Sequence, residues 1–242
     1  MNDNGLLTVE SLNVDYGDFR AIHDVSMCFP KGAIISVIGS NGAGKSTLLN
    51  AIMGVNKARS GRVFFEGDDI TGLRTSSIVA KGISMSPEGS SVFENMSVYE
   101  NLVLGAFLPG PRKKRDILLE RAYELFPPLK EKAKQQATFL SGGQRQMLAI
   151  ARALMSEPKL LICDEISLGL APVVVSDIYS RITDVNETGV TVVLVEQEVK
   201  RSLDYSDYSY VLVKGRVVMG GLSDELDEKE VKDAYFGINQ YA

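Results

Sequence analysis

Nine consecutive residues, Gly39-Ser40-Asn41-Gly42-Ala43-Gly44-Lys45-Ser46-Thr47, fit the spacing G-x-x-x-x-G-K-[ST]. That spacing can bind phosphate. Its glycines let successive backbone N–H groups turn toward one anion, and a helix opening behind them adds the positive end of its dipole. Lys45 supplies a cation for the β- and γ-phosphates of a nucleotide, and Ser46 an oxygen for Mg²⁺. The bare motif also occurs as an ordinary glycine turn. Here it follows a continuous apolar run, Ala33–Ile38, and opens an apolar-periodic stretch, STLLNAIM, the strand–loop–helix context that the chemistry requires.

A phosphate loop that uses a metal needs a carboxylate from elsewhere. The apolar segment LLIC ends in Asp164-Glu165. A strand of this kind is expected beside the phosphate-loop strand, with Asp164 near Mg²⁺. Glu165 then faces the γ-phosphate side, where a carboxylate can hold and polarise an attacking water. An acidic pair at a strand end is by itself most simply a solvated loop; the phosphate loop in the same chain reverses that balance.

These groups need a scaffold, and the chain can build one. Its 242 residues are 45% hydrophobic and 24% charged, enough for one large domain or a core with a subdomain. A net charge of -5 argues against a general nucleic-acid-coating protein. A single histidine, His23, excludes a zinc site built on several His. Cys28 and Cys163 sit in apolar runs and read as buried, reduced thiols. The N-terminal residues lack the pattern of a signal peptide, and no apolar stretch is long enough to span a membrane, so a soluble, cytoplasmic chain is expected.

Leu6–Val14 and Asp24–Phe29 alternate as strands, and SGRVFFEGDDI reads as a hairpin punctuated by Gly61 and Gly67. Lys81–Ser86 is a further short strand. Helical periodicity then dominates at Val98–Phe107, Arg115–Leu125 and Gln144–Ser156. Strands return at Lys159–Cys163, Val190–Val195, Tyr210–Val213 and Arg216–Met219, with a helix over Pro172–Val185. This alternation predicts an α/β fold with a mostly parallel sheet and a helical subdomain, 97–158, inserted in a core formed by 1–96 and 159–242. The basic run at 111–116 and the acidic segment SDELDEKEVKDAYFG read as solvated surface helices.

The segment Phe139-Leu140-Ser141-Gly142-Gly143-Gln144-Arg145-Gln146 resembles the LSGGQ signature of ABC-type ATPases. Physically it is a second anion cradle: the Ser141 hydroxyl, the backbones of Gly142 and Gly143, and the helix start at Gln144. Two cradles with one lysine-bearing loop suggest a composite site. In the family, each ATP lies between the P-loop of one protomer and the LSGGQ of the other. The resemblance covers essentially the whole chain. It implies a P-loop NTPase fold with a RecA-like, mostly parallel sheet, flanking helices, an N-terminal antiparallel β-subdomain and the inserted helical one.

Other family positions follow from the same resemblance. Tyr16 matches the aromatic that stacks on adenine. Glu88 stands where most members have the Gln of the Q-loop, and as a carboxylate it can bind Mg²⁺ directly. Gln197 stands where most have the switch His; it can hydrogen-bond a γ-phosphate but cannot carry charge. That leaves His23 structural. Ala171 and Ile166 replace the usual Asp and Pro. The segments PEG…VF, SLGLAP and VEQ, with the AYFG ending, resemble the ATP-binding subunits of branched-chain amino-acid importers; Ile166 and Glu198 depart from that subgroup.

The resemblance therefore implies ATP and Mg²⁺ as ligands and a head-to-tail dimer with a second ATPase subunit, self or paralogue. It also implies transmembrane permease subunits, a solute-binding protein acting indirectly, no nucleic acid, and a peripheral location on the inner face of the cell membrane. The importer would take branched-chain amino acids or related amino-acid, urea or amide solutes. The alternative is a non-transport ABC ATPase acting on DNA or ribosomes, whose long coiled-coil insertions or tandem cassettes this chain lacks.

Overall fold

The computed structural model describes residues 5–89 and 91–236. Two compact units are present: one runs to Ile78 and resumes at Val193, and the other spans Val79–Val192.

The first unit opens with β1 (Gly5–Tyr16) and β2 (Phe19–Pro30), paired antiparallel. The alternation read over Asp24–Phe29 belongs to a strand that begins earlier. Asp24 takes a left-handed φ of 49°, and the pairing with β1 shifts register around it, so the alternation breaks although the strand continues. Next come β3 (Ile34–Ile38), buried along its whole length, and α1 (Lys45–Ile52). β4 (Ser60–Phe65) and β5 (Asp68–Asp69) form the expected hairpin and complete an antiparallel sheet of order β2-β1-β4-β5. The short helix α2 (Thr75–Lys81), which the sequence reading did not foresee, buries only Ile78.

The second unit holds β6 (Ile83–Ser86), α3 (Val98–Gly105), α4 (Pro109–Lys113), α5 (Arg115–Leu125), α6 (Pro127–Glu131) and a 3₁₀ turn over Ala137–Phe139. α7 (Gly142–Leu154), β7 (Leu160–Asp164) and α8 (Pro172–Glu187) follow. β6 and β7 pair in parallel, with Ser86 opposite Cys163. α7 packs against α3, α5, α6 and α8 through buried Met147, Leu148, Ile150 and Ala151. The basic run crosses the end of α4 and the start of α5. Its Lys114 bridges Glu157 at 2.9 Å across an exposed surface, the kind of pair that contributes at most about 1 kcal/mol.

β8 (Thr191–Glu196) leads back into the first unit, followed by α9 (Val199–Asp204), β9 (Tyr208–Val213), β10 (Arg216–Leu222) and α10 (Glu228–Phe236). Here the strands run β10-β9-β3-β8, with β3 and β9 parallel and β9 and β10 antiparallel. The strand ending in Asp164 is therefore not the neighbour of the phosphate-loop strand. β3 lies between β9 and β8, and β8, buried along its length like β3, takes the place expected for β7. Below β3, Ile38 packs with Val199, Val211 and Val231, so α9 and α10 close the core under the strand that carries the loop. The acidic segment, expected to be a wholly solvated helix, is a 3₁₀ turn over Ser223–Glu225 followed by α10, whose charged residues lie at the surface while Val231 is buried in the core; its last residue, Gly237, lies outside the described residues. Among the described residues no helix is long and apolar enough to cross a membrane.

Candidate functional site

The phosphate loop leaves β3 at Gly39 and enters α1 at Lys45. Gly44, the residue before the helix, has φ +104°, a conformation L side chains rarely adopt. A Cβ there would also lie 3.1 Å from the Ala21 carbonyl oxygen and 3.0 Å from Ile22 Cδ1. No side chain caps α1, so its leading N–H groups remain available to an anion. Gly42, at φ +81°, faces open space. The Lys45 side chain is 4% exposed, and its ammonium donates to the Gly39 carbonyl at 2.8 Å and the Ser40 carbonyl at 3.1 Å, folding back over the loop. Asn41 and Ser46 are exposed, Thr47 is half-buried and Ala43 is buried. The β9–β10 turn braces the loop from behind: Gly215 N–H donates to the Ala43 carbonyl at 2.8 Å, and His23 N–H donates to the Gly215 carbonyl at 2.8 Å. The lone histidine thus contributes backbone to this support. An uncapped helix start, a folded-back cation and glycines at positive φ (Gly42 and Gly44) fit a polyphosphate.

Two further groups of the first unit meet this loop. Gly39 N–H donates to the Glu196 carbonyl at 3.1 Å, which fixes the end of β8, and so the backbone just before Gln197, against the start of the loop. Tyr16, at the end of β1, is half exposed; its phenol oxygen lies 3.5 Å from Thr47 Oγ1 and accepts from Asn56 Nδ2 at 2.6 Å. The preceding residue, Asp15, is gripped by Arg59 at 2.7 Å and Arg20 at 3.0 Å. The Arg59 hydrogen bond is the main reason that its carboxyl sits below the usual range.

In the second unit, the register of β6 and β7 sends Pro87-Glu88 and Asp164-Glu165 out of the sheet at the same end. Asp164 and Glu165 are buried, whereas Glu88 is exposed in a turn. Glu165 adopts a left-handed φ of 47°, a strained choice for a non-glycine residue and one concentrated at functional positions. The segment after Glu88 is anchored by buried Asn101. Its amide accepts from Phe93 N–H at 2.9 Å and donates to the Phe93, Met96 and Ser97 carbonyls at 3.0, 3.3 and 3.0 Å. Among the described residues no cluster of three or more His, Cys, Asp or Glu could hold a metal. One hydroxyl and scattered carboxylates suit Mg²⁺, which usually keeps several waters and relies on substrate phosphates for its remaining ligands.

Ser141 caps α7. Its Oγ accepts from Gln144 N–H at 3.3 Å, and the Gln144 side chain accepts from Ser141 N–H at 3.1 Å, a reciprocal box. The hydroxyl proton of Ser141 can then donate outward, beside the N–H groups of Gly142 and Gly143, which have no acceptor within the helix. The glycines also serve packing: a Cβ on Gly143 would lie 2.3 Å from Val174 Cγ1, and one on Gly142 3.1 Å from Leu170 Cδ2. The LSGGQ spacing gives no sign of this packing requirement. The sequence reading also missed Asn56 and buried Glu196, which no motif spacing marks.

A strand–loop–helix phosphate cradle within an α/β arrangement of this kind defines a P-loop NTPase. The ABC transporter family model matches residues 22–167, and the chain belongs to that family. It is 45% identical over 233 residues to the high-affinity branched-chain amino acid transport ATP-binding protein BraG of Pseudomonas aeruginosa, the match spanning 96% of this chain and 100% of that one. The probable branched-chain amino acid transport ATP-binding protein LivF of Archaeoglobus fulgidus is 38% identical, spanning 93% and 95%. Among solved structures, a nucleotide-free ATP-binding cassette from an ABC transporter superposes with a TM-score of 0.85 at 32% identity, covering 98% of each chain. The ADP conformation of an ABC transporter cassette superposes at 0.81 and 32% identity, covering 96% and 94%. The chain is an ATPase of the ABC type that binds nucleotide.

Proposed function

We propose that this chain is the ATP-hydrolysing subunit of an importer for branched-chain amino acids or chemically related solutes, working as a dimer on transmembrane permease subunits. The observation that carries the reading is the end-to-end match to the branched-chain amino acid transport ATP-binding protein of Pseudomonas aeruginosa. The test is purification of the chain from detergent-solubilised membranes of its own cell. Multi-span subunits are expected to co-purify, and ATPase activity of the complex is expected to rise with a solute-binding protein carrying leucine, isoleucine or valine. Co-purification with ribosomes or DNA instead would overturn the reading.

Within the site, the backbone of Gly39–Thr47 and Lys45 hold the phosphates. Ser46, Asp164 and Glu88 are the residues that would hold Mg²⁺, which would supply positive charge to offset that of the phosphates. Glu165 orients and deprotonates the attacking water, and Gln197 hydrogen-bonds the γ-phosphate. Ser141, Gly142, Gly143 and Gln144, at the start of α7, belong to the opposite protomer's site. Residues 97–158 form the helical subdomain that carries this signature. The chain's place is the inner face of the cell membrane, held there by the permease subunits.

Tyr16 stacks on adenine. Tyr16→Ala is therefore expected to weaken ATP binding by about threefold to tenfold and to leave inorganic triphosphate binding unchanged, both read by titration calorimetry. Equal loss for the two ligands would remove base stacking from the account.

A further inference from the structure

We propose that Asn56 is a positioning residue for adenine recognition, acting through the phenol of Tyr16. The inference rests on the reading that Tyr16 stacks on the base.

Tyr16 ends a strand and is followed by a turn whose Gly17 has a positive φ of 58°. Half its surface is exposed. A ring so placed has to be held at its far end if one face is to stay presented to a ligand. The Asn56 amide does this, donating to the phenol oxygen at 2.6 Å. Asn56 is itself fixed: its N–H, at 3.1 Å, and that of Val55, at 2.8 Å, both donate to the carbonyl of Asn50 in α1. The phenol therefore lies between Thr47 in the first turn of α1, at 3.5 Å, and the loop that leaves the end of the same helix.

The consequence is geometric. The N-terminus of α1 receives the phosphates, and a loop tied back to α1 aims the ring. The distance between phosphate cradle and stacking platform is thus set by one helix rather than by a free rotamer. The Asp15–Arg20 and Asp15–Arg59 pairs hold the backbone entering Tyr16, and Arg59 N–H donates to the Asn13 carbonyl at 2.8 Å, so the strand end does not supply the missing freedom. An asparagine in the loop after α1 carries no motif signal, and its partner lies 40 positions away in sequence.

The experiment compares ATP and inorganic triphosphate affinities for the wild type, Asn56→Ala, Asn56→Gln, Tyr16→Phe, Tyr16→Ala and the Tyr16→Phe/Asn56→Ala double variant of the full chain. Loss of one hydrogen bond that aims the ring is expected to weaken ATP binding by about twofold to tenfold. Triphosphate affinity is expected to stay unchanged, because only the cradle binds it. Tyr16→Phe should match Asn56→Ala, the double variant should lose no more than either alone, and Asn56→Gln should restore part of the loss by keeping an amide donor. If Asn56→Ala does not fold, Tyr16→Phe removes the same bond from the other side and carries the test. Unchanged ATP affinity in Asn56→Ala and Tyr16→Phe, while Tyr16→Ala still loses ATP selectively, would overturn the positioning role and leave stacking intact. Equal losses for ATP and triphosphate in Asn56→Ala, or additive losses in the double variant, would also overturn it. If Tyr16→Ala itself shows no selective loss, stacking fails, and the role of Asn56 fails with it.

Discussion

Glu165→Gln is expected to bind ATP as the wild type does and to turn it over about 10²–10⁴-fold more slowly, the usual worth of a positioned general base. In the proposed site the phosphate loop holds phosphate through Lys45 and backbone N–H groups, but it carries no group able to take a proton from water. Glu165 leaves β7 directly after Asp164, 8% exposed and in the left-handed region of backbone space. The Leu168 N–H donates to its carbonyl at 3.2 Å, which closes the turn that holds this conformation. Glutamine preserves the shape and the hydrogen-bonding reach of the side chain and removes its basicity. The variant should therefore accumulate an ATP-bound dimer, visible by light scattering, while single-turnover quenching shows little product. Wild-type turnover in Glu165→Gln would show that the base is another residue.

The parts of the molecule that were legible from sequence are those where local pattern and burial agree. β3 is mostly apolar and β-branched because it is buried on both faces, its one polar residue, Ser36, sharing a hydrogen bond with Ser209, and α7 shows its core face at helical spacing. The β4–β5 hairpin was marked by its glycine turn at Gly67. Legibility failed where a local irregularity hid a longer element, as at Asp24 in β2, or where an element buries almost nothing, as α2 does with Ile78 alone. Strand order was misjudged because β8, like β3, reads as a fully buried run, and nothing in either sequence states which strand lies next to which. In the site, spacing marked the two cradles and the acidic pair. It could not mark Asn56, whose proposed role depends on a loop folding back on α1, nor the packing of Gly143 against Val174.

The second large effect concerns the two cradles taken separately. Lys45→Ala removes the buried cation that bonds the Gly39 and Ser40 carbonyls, and should abolish productive ATP binding by the chain that carries it. Ser141→Arg should leave nucleotide binding to the monomer intact. It replaces the residue whose side chain caps α7 with a bulky cation and should block ATP-dependent closure of the dimer. Each variant alone is expected to be inactive, one for want of a phosphate site and the other for want of the opposing face. The difference shows in binding: labelled ATP should be retained by Ser141→Arg and lost by Lys45→Ala.

Mixing these two variants tests the composite site most directly. A hybrid of one Lys45→Ala chain and one Ser141→Arg chain contains one site with an intact loop and an intact signature, while its second site carries both defects. With hybrids isolated through two different affinity tags, at high protein concentration or in the assembled membrane complex, ATPase activity should reappear although both parents are inactive. Hybrids that form and yet remain at the level of the parents would contradict a site completed by residues of two chains.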